Sequence, residues 1–107
     1  MSNEPTEITH QGAKIWLNSE GKWHSYNDHP AVIWPSGDYW WFRDGHSHRD
    51  NNLPAMVRLD GMCTWYINGN YIKSQYCTDE EIEEFKKPYY LQRESKIKFN
   101  RFEKLIK

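Results

Sequence analysis

The sequence predicts an α+β protein: an antiparallel β-meander of short repeats followed by one or two C-terminal helices. Three observations carry that prediction. The first is an internal period: Gly45, His48, Asn51, Pro54 and Ala55 lie 24 positions after Gly21, His24, Asn27, Pro30 and Ala31, and Gly37, Trp41 and Gly45 map by the same step onto Gly61, Trp65 and Gly69. A constant offset over about two and a half units marks a repeat architecture, in which each unit is one supersecondary element stacked on the next. The second is turn chemistry. Asp44-Gly45, Asp60-Gly61 and Asn68-Gly69 sit between apolar runs, and such pairs favour tight hairpins whose two central residues both take positive φ. The third is Thr78-Asp79-Glu80-Glu81, a capping box in which the N-cap hydroxyl and the Glu side chain each satisfy a backbone N–H at a helix start.

Along the chain, three regions follow: a flexible lead over 1–11, a repeat sheet over 12–76 and a helical segment over 77–107. Met1 to Gln11 is polar and acidic with no apolar signal core, so nothing there marks the chain for export and a cytoplasmic location is expected. Ile15–Leu17 begins the first hairpin, Lys22–His24 returns, and Ala31–Trp34 forms the next strand after Pro30. Tyr39–Arg43, His46–His48 and Ala55–Leu59 repeat the pattern. Cys63–Ile67 and Tyr71–Lys73 begin a third unit that stops before its Pro-Ala half. After Thr78, Ile82 and Phe85 share a helix face and Pro88 closes the segment. A second helix is expected from about Glu94, with Phe99, Phe102 and Ile106 at helical spacing and Lys96, Arg101, Lys104 and Lys107 opposite.

At 107 residues the chain is one domain with a modest core. Mean hydropathy is −1.00, yet six Trp, seven Tyr and four Phe supply large apolar area, so aromatic rings carry the burial. The 24-residue step places Ile15, Tyr39 and Cys63, with Leu17, Trp41 and Trp65, on one core ladder. It places Trp16, Trp40 and Thr64, with Asn18, Phe42 and Tyr66, on the opposite face. A sheet aromatic on both sides needs a second layer or a partner. The C-terminal helices, through Phe99 and Phe102, compete with a binding partner for that second face.

The net charge of −1 is unevenly spread. Residues 1–85 carry six Lys/Arg against thirteen Asp/Glu, and residues 86–107 carry eight against two. The acidic body is wrong in sign for duplex nucleic acid, which calls for clustered cations, and no apolar run approaches the ~20 residues needed to span a bilayer. Cys63 and Cys77 form no disulfide framework, so reduced thiols are expected.

On Trp41, Gly45 and His48, Trp65 and Gly69, and Gly21 and His24, the pattern G-x-x-x-W-x-x-x-G-x-x-H over roughly residues 12–73 resembles the MORN-type repeat, whose units are stacked β-hairpins. Where that family continues H-G-x-G, this chain has His48-Arg49-Asp50 and then Pro54-Ala55. That variant is similar to small proteins of bacteriophages and large DNA viruses. The resemblance implies a binding scaffold, directed at proteins or membranes, with some bacterial relatives similar to antitoxins.

Catalytic and metal chemistry find little support. His46, His48 and Asp50, with His24 and Asp28, have the residue types of a metal set. But His24 and His48 recur at the repeat spacing, which points to one structural hydrogen bond per unit, so no metal or other cofactor is expected. His48-Arg49-Asp50 also spells a kinase catalytic-loop tripeptide, without the glycine-rich loop, strand lysine or Asp-Phe-Gly that give it meaning. Arg49 and Asp50 are expected to form a corner ion pair between units. Cys63 falls on the core ladder, and Cys77 has no base nearby. The expectation is a non-enzymatic protein-binding module, in the form of a virus-encoded inhibitor of a host defence or nucleic-acid-processing protein. The alternatives are a sponge for a small nucleotide signal and an antitoxin-like partner. The binding residues expected are Trp16, Trp40, Phe42, Arg43, Asp44, Arg49, Asp50 and Tyr66, with Trp40 and Phe42 central.

Overall fold

In the computed structural model, which describes residues 4–92, the period becomes a sheet of very short strands. These are β1 (Glu7–Ile8), β2 (Lys14–Ile15), β3 (Val32–Ile33), β4 (Tyr39–Trp40), β5 (Phe42–Arg43), β6 (His46–Ser47), β7 (Met56–Val57), β8 (Met62–Ile67) and β9 (Asn70–Tyr76). Seven pair antiparallel in the order β1-β2-β3-β4-β7-β8-β9, while β5 and β6 form a separate hairpin. The α+β meander expected from the sequence is therefore the observed fold. One edge strand is new: Glu7–Ile8, inside the segment expected to lead in loosely, pairs with β2.

Two turn chemistries build the meander. At Asp44-Gly45 (φ 46° and 87°) and Asn68-Gly69 (φ 49° and 84°) both central residues are left-handed, the two-residue hairpin expected. Asp60-Gly61 differs. Only Gly61 takes positive φ, 101°, and its N–H bonds Arg58 O at 3.1 Å while Arg58 N bonds Met62 O. This is a tighter first bend closed by a left-handed glycine, leaving a three-residue loop. Trp34 to Asp38 and Thr9 to Ala13 close in the same way.

That second turn type also explains an error in the expected register. The first unit's hairpin, closed by Asn18 N to Lys22 O and Gly21 N to Asn18 O, holds three loop residues, whereas the second and third hold two. The glycines keep their 24-residue step, but the strand before the first glycine is displaced by one. Trp16 is therefore the counterpart of Trp41 and Trp65: Trp16 N bonds Ala31 O as Trp41 N bonds Ala55 O. A one-residue slip moves every side chain to the other face. Trp16 is 7% exposed, and Ile15 joins the row Val32, Trp40, Met56, Thr64 rather than the Tyr39–Cys63 row.

Each unit hands two hydrogen bonds forward. The Trp41 indole donates to Asp28 O in the preceding unit's loop, and the Trp65 indole to Asn52 O in the next. The His24 ring accepts Asp44 N, and the His48 ring accepts Asn68 N. The recurrent histidines thus make the one bond per unit that their spacing implied. Asn27, Asp28, Asn51 and Asn52 all take positive φ to present those loop carbonyls. The third unit has no successor to serve, and it lacks both the histidine and the loop; β9 instead runs straight back along β8.

Helix α1 (Asp79–Lys86) begins at the expected capping box, with Thr78 Oγ1 accepting Glu81 N and Glu81 Oε1 accepting Thr78 N. Ile82 and Phe85 pack on Trp41, Val57, Cys63 and Trp65. After Pro88, residues 89–92 are helical again. The helix expected from Glu94 lies outside the described residues.

Candidate functional site

The two faces of the sheet are finished differently. On the face of Trp41 and Trp65, α1 supplies the missing layer, with Phe85 edge-on to Trp65 at 6.0 Å. On the other face, half-buried Trp23, Trp34, Trp40 and Phe42 gather with Leu17 around Ile15, Ala31 and Val32, and no residue of α1 joins them. Trp34 and Trp40 lie 5.0 Å apart at 70°, and Trp23 and Phe42 lie 5.0 Å apart at 89°. The rings lock edge-to-face, the arrangement their quadrupoles favour. The Trp34 Nε1 atom is buried here without a hydrogen-bond acceptor among the described residues.

Beside Phe42 lies an ion-pair rim. Arg43 and Asp50 meet at 2.6 Å. Because His48 Nδ1 accepts Asn68 N, its Nε2 carries the proton that it donates to Asp50 Oδ1 at 2.8 Å. The hydrogen bond from His48, more than the neighbouring Arg43 charge, holds the Asp50 carboxyl below its ordinary range. Asp44 accepts a hydrogen bond from Asn18 Nδ2 at 2.8 Å across the first two hairpin tips. Arg43, His48 and Asp50 border a cleft of about 80 Å³ that Phe42, Arg49, Ser25 and Asp28 also line.

Arg49 behaves unlike the other rim residues. It pairs with Asp28 of the preceding unit, at 2.9 and 3.0 Å, rather than with Asp50 as expected. The corner between units is real, but its acid is Asp28. The remaining donors reach Pro54 O at 3.3 Å, Phe85 O at 2.7 Å and Lys87 O at 2.9 Å, and the guanidinium lies 3.7 Å from the Trp41 ring centroid. Burial lowers its pKa and Asp28 acts against that shift. Asp28 also accepts Tyr89 N, so one carboxylate ties the first unit, the second unit and the C-terminal helices together. A buried charge so fully paired is structural, and Arg49 is 2% exposed.

Of the residues singled out from the sequence, Trp40 and Phe42 come together on the face that α1 does not cover, with Arg43 and Asp50 adjoining and Asp44 at a hairpin tip. Tyr66, expected on the same face, instead packs half-buried against the Trp41 and Trp65 cluster, edge-on to Tyr71 at 5.9 Å. Trp16 and Arg49 lie in the interior. Sequence reasoning missed Trp23 and Trp34 as members of the face. For Trp34 the signal was present, since alternation from Val32 puts it on the same side. Trp23 needed the longer first hairpin to be recognised.

The described residues also include possible metal ligands and nucleophiles. No three His, Cys, Asp or Glu side chains converge as a metal set among them. Both cysteines are free, and burial pushes the Cys63 thiol up to about 12, which suppresses its nucleophilic form. No helix among the described residues is long and apolar enough to cross a membrane. No family model, curated protein or solved structure matches the chain.

Proposed function

We propose that this protein is a non-enzymatic protein-binding module whose partner surface is the face formed by Trp23, Trp34, Trp40 and Phe42. The observation that carries this reading is the asymmetry of the sheet: α1 fills one aromatic face and leaves the four-ring cluster half-exposed on the other. Aromatic residues and Arg dominate interface hot spots. The edge-to-face packing holds the rings before any partner arrives, so little side-chain entropy is lost on docking. Arg43, Asp44 and Asp50 form a polar rim of the kind that tunes approach and specificity. In the fuller form of this proposal, the module is a virus-encoded inhibitor of a host defence or nucleic-acid-processing protein. A nucleotide sponge draws less support. The cleft of about 80 Å³ is well below the roughly 300 Å³ of small-molecule sites. Arg43, Arg49 and Arg58, the arginines of the described residues, are each paired with a carboxylate.

Comparative capture tests the proposal. Immobilised wild-type protein, the Trp40→Ala/Phe42→Ala double variant and an Ile8→Ala control are exposed to one host lysate and the bound proteins quantified by mass spectrometry. A protein retained by wild type and by the control, but lost on the folded double variant, supports the face. Retention of the same proteins by all three refutes it.

A further inference from the structure

The sheet ends in a strand that the chain itself does not complete. β9 lies against β8 as β3 lies against β2 and β7 against β4: Ser74 and Gln75 face Thr64 and Cys63, as Val32 and Ile33 face Ile15 and Lys14. The outer edges of β3 and β7 are both covered. β4 pairs along one through Val32 with Trp40 and Ile33 with Tyr39, and β8 along the other through Met56 with Thr64 and Val57 with Cys63. The outer edge of β9 has no such partner among the described residues, and all seven of its side chains are exposed. Tyr71, Ile72 and Tyr76 are 60%, 55% and 71% exposed, a concentration of apolar surface on one strand. The single charge in β8–β9, Lys73, is turned onto the Trp65 ring at 4.5 Å instead of guarding the edge as edge lysines usually do.

We propose that β9 is a second interaction surface, which takes an extended segment of a partner protein as an added antiparallel strand. The occupant is identified by what covers the same edge twice within this chain: an antiparallel strand that runs into a pair of aromatic side chains, Trp41-Phe42 after β4 pairs with β3 and Trp65-Tyr66 where β8 pairs with β7. Main-chain hydrogen bonds supply the affinity of such strand addition, and the flanking side chains its selectivity. Tyr71, Ile72 and Tyr76 are the flanking groups here. This surface is independent of the Trp40 face and stands or falls apart from it.

The probe is a synthetic peptide of residues 36–44, the native cover of β3, with a scrambled peptide of the same composition as control. Backbone amide exchange of the full chain is followed by NMR, with sedimentation in the absence of peptide. The expected result is slowed exchange at amides of residues 70–76 with the native-order peptide alone. Roughly tenfold weaker binding is expected for the folded Ile72→Glu/Tyr76→Lys variant. Three results overturn the proposal: unchanged β9 amides, protection confined to β3 or to the Trp40 face, or an edge already closed by self-association of the free chain.

Discussion

Trp40 and Trp41 are neighbours in sequence and opposites in the fold. Trp41 is 1% exposed, its indole N–H bonded to Asp28 O and its ring covered by the Arg49 guanidinium. Trp40 is half-buried among other rings, with no α1 residue over it. The strand treats both alike, because alternation sends one side chain to each face. The difference lies in what the rest of the chain brings to each side. The Trp41 face receives α1, and the corner of Asp28 and Arg49 holds that helix by its last carbonyls. Among the described residues, the Trp40 face receives only side chains from its own sheet and loops. Aromatic content alone therefore does not separate buried core from half-exposed surface; the neighbouring layer does.

The largest break in this comparison is expected from Trp41→Ala, at about 3–5 kcal/mol of stability. That is a large share of what a domain this small possesses. Urea unfolding should show a much lower midpoint or no folded baseline. Asp28→Ala should come next, at roughly 3 kcal/mol, because it leaves the Arg49 guanidinium buried and unpaired. Substituting Asp28 and Arg49 together by apolar residues of similar volume should cost less than Asp28→Ala alone, which a double-mutant cycle will reveal. Trp40→Ala should fall well below either, about 1–2 kcal/mol, since its ring stays partly in water in the native state. Equal losses for Trp40→Ala and Trp41→Ala in urea titrations would erase the distinction between the faces.

The smallest effect concerns acid. The folded-state pKa of Asp50 is depressed, so its contribution is fully present above its ordinary value of 3.8 and is lost as pH falls through the lower folded value. Thermal melts should show wild type more stable than Asp50→Asn near neutrality. The gap should close as pH falls below 3.8, where the wild-type side chain also loses its charge. A gap that widens on acidification would reverse the sign and remove the His48–Asp50 bond as its source.

Much of this was readable in the residues. The 24-residue step located the hairpins, the forward-bonding histidines and the burial of Trp41 and Trp65, and the capping box located α1. What stayed illegible depended on single-residue details and on long-range pairing. Trp16 was misplaced because Asn18–Gly21 and Asp44-Gly45 look alike as glycine turns yet differ by one loop residue, and period-2 geometry converts that into the wrong face. Arg49 was assigned to Asp50, its sequence neighbour, because local pairs are visible in a sequence and Asp28, 21 residues upstream, is not. The exposed β9 strand followed from the missing Pro-Ala half, an absence whose meaning emerges only once each loop is seen to serve the next unit's tryptophan.

The most direct test of the two-faced sheet is ¹⁹F NMR of the protein labelled with 5-fluorotryptophan, its six signals assigned by single substitutions and read with a soluble paramagnetic relaxation agent. The account predicts two groups of three. Trp16, Trp41 and Trp65, at 7%, 1% and 6% exposure, should keep narrow signals, while half-buried Trp23, Trp34 and Trp40 should broaden together. Trp40 shielded as fully as Trp41, or Trp16 broadened with the exposed group, would contradict it.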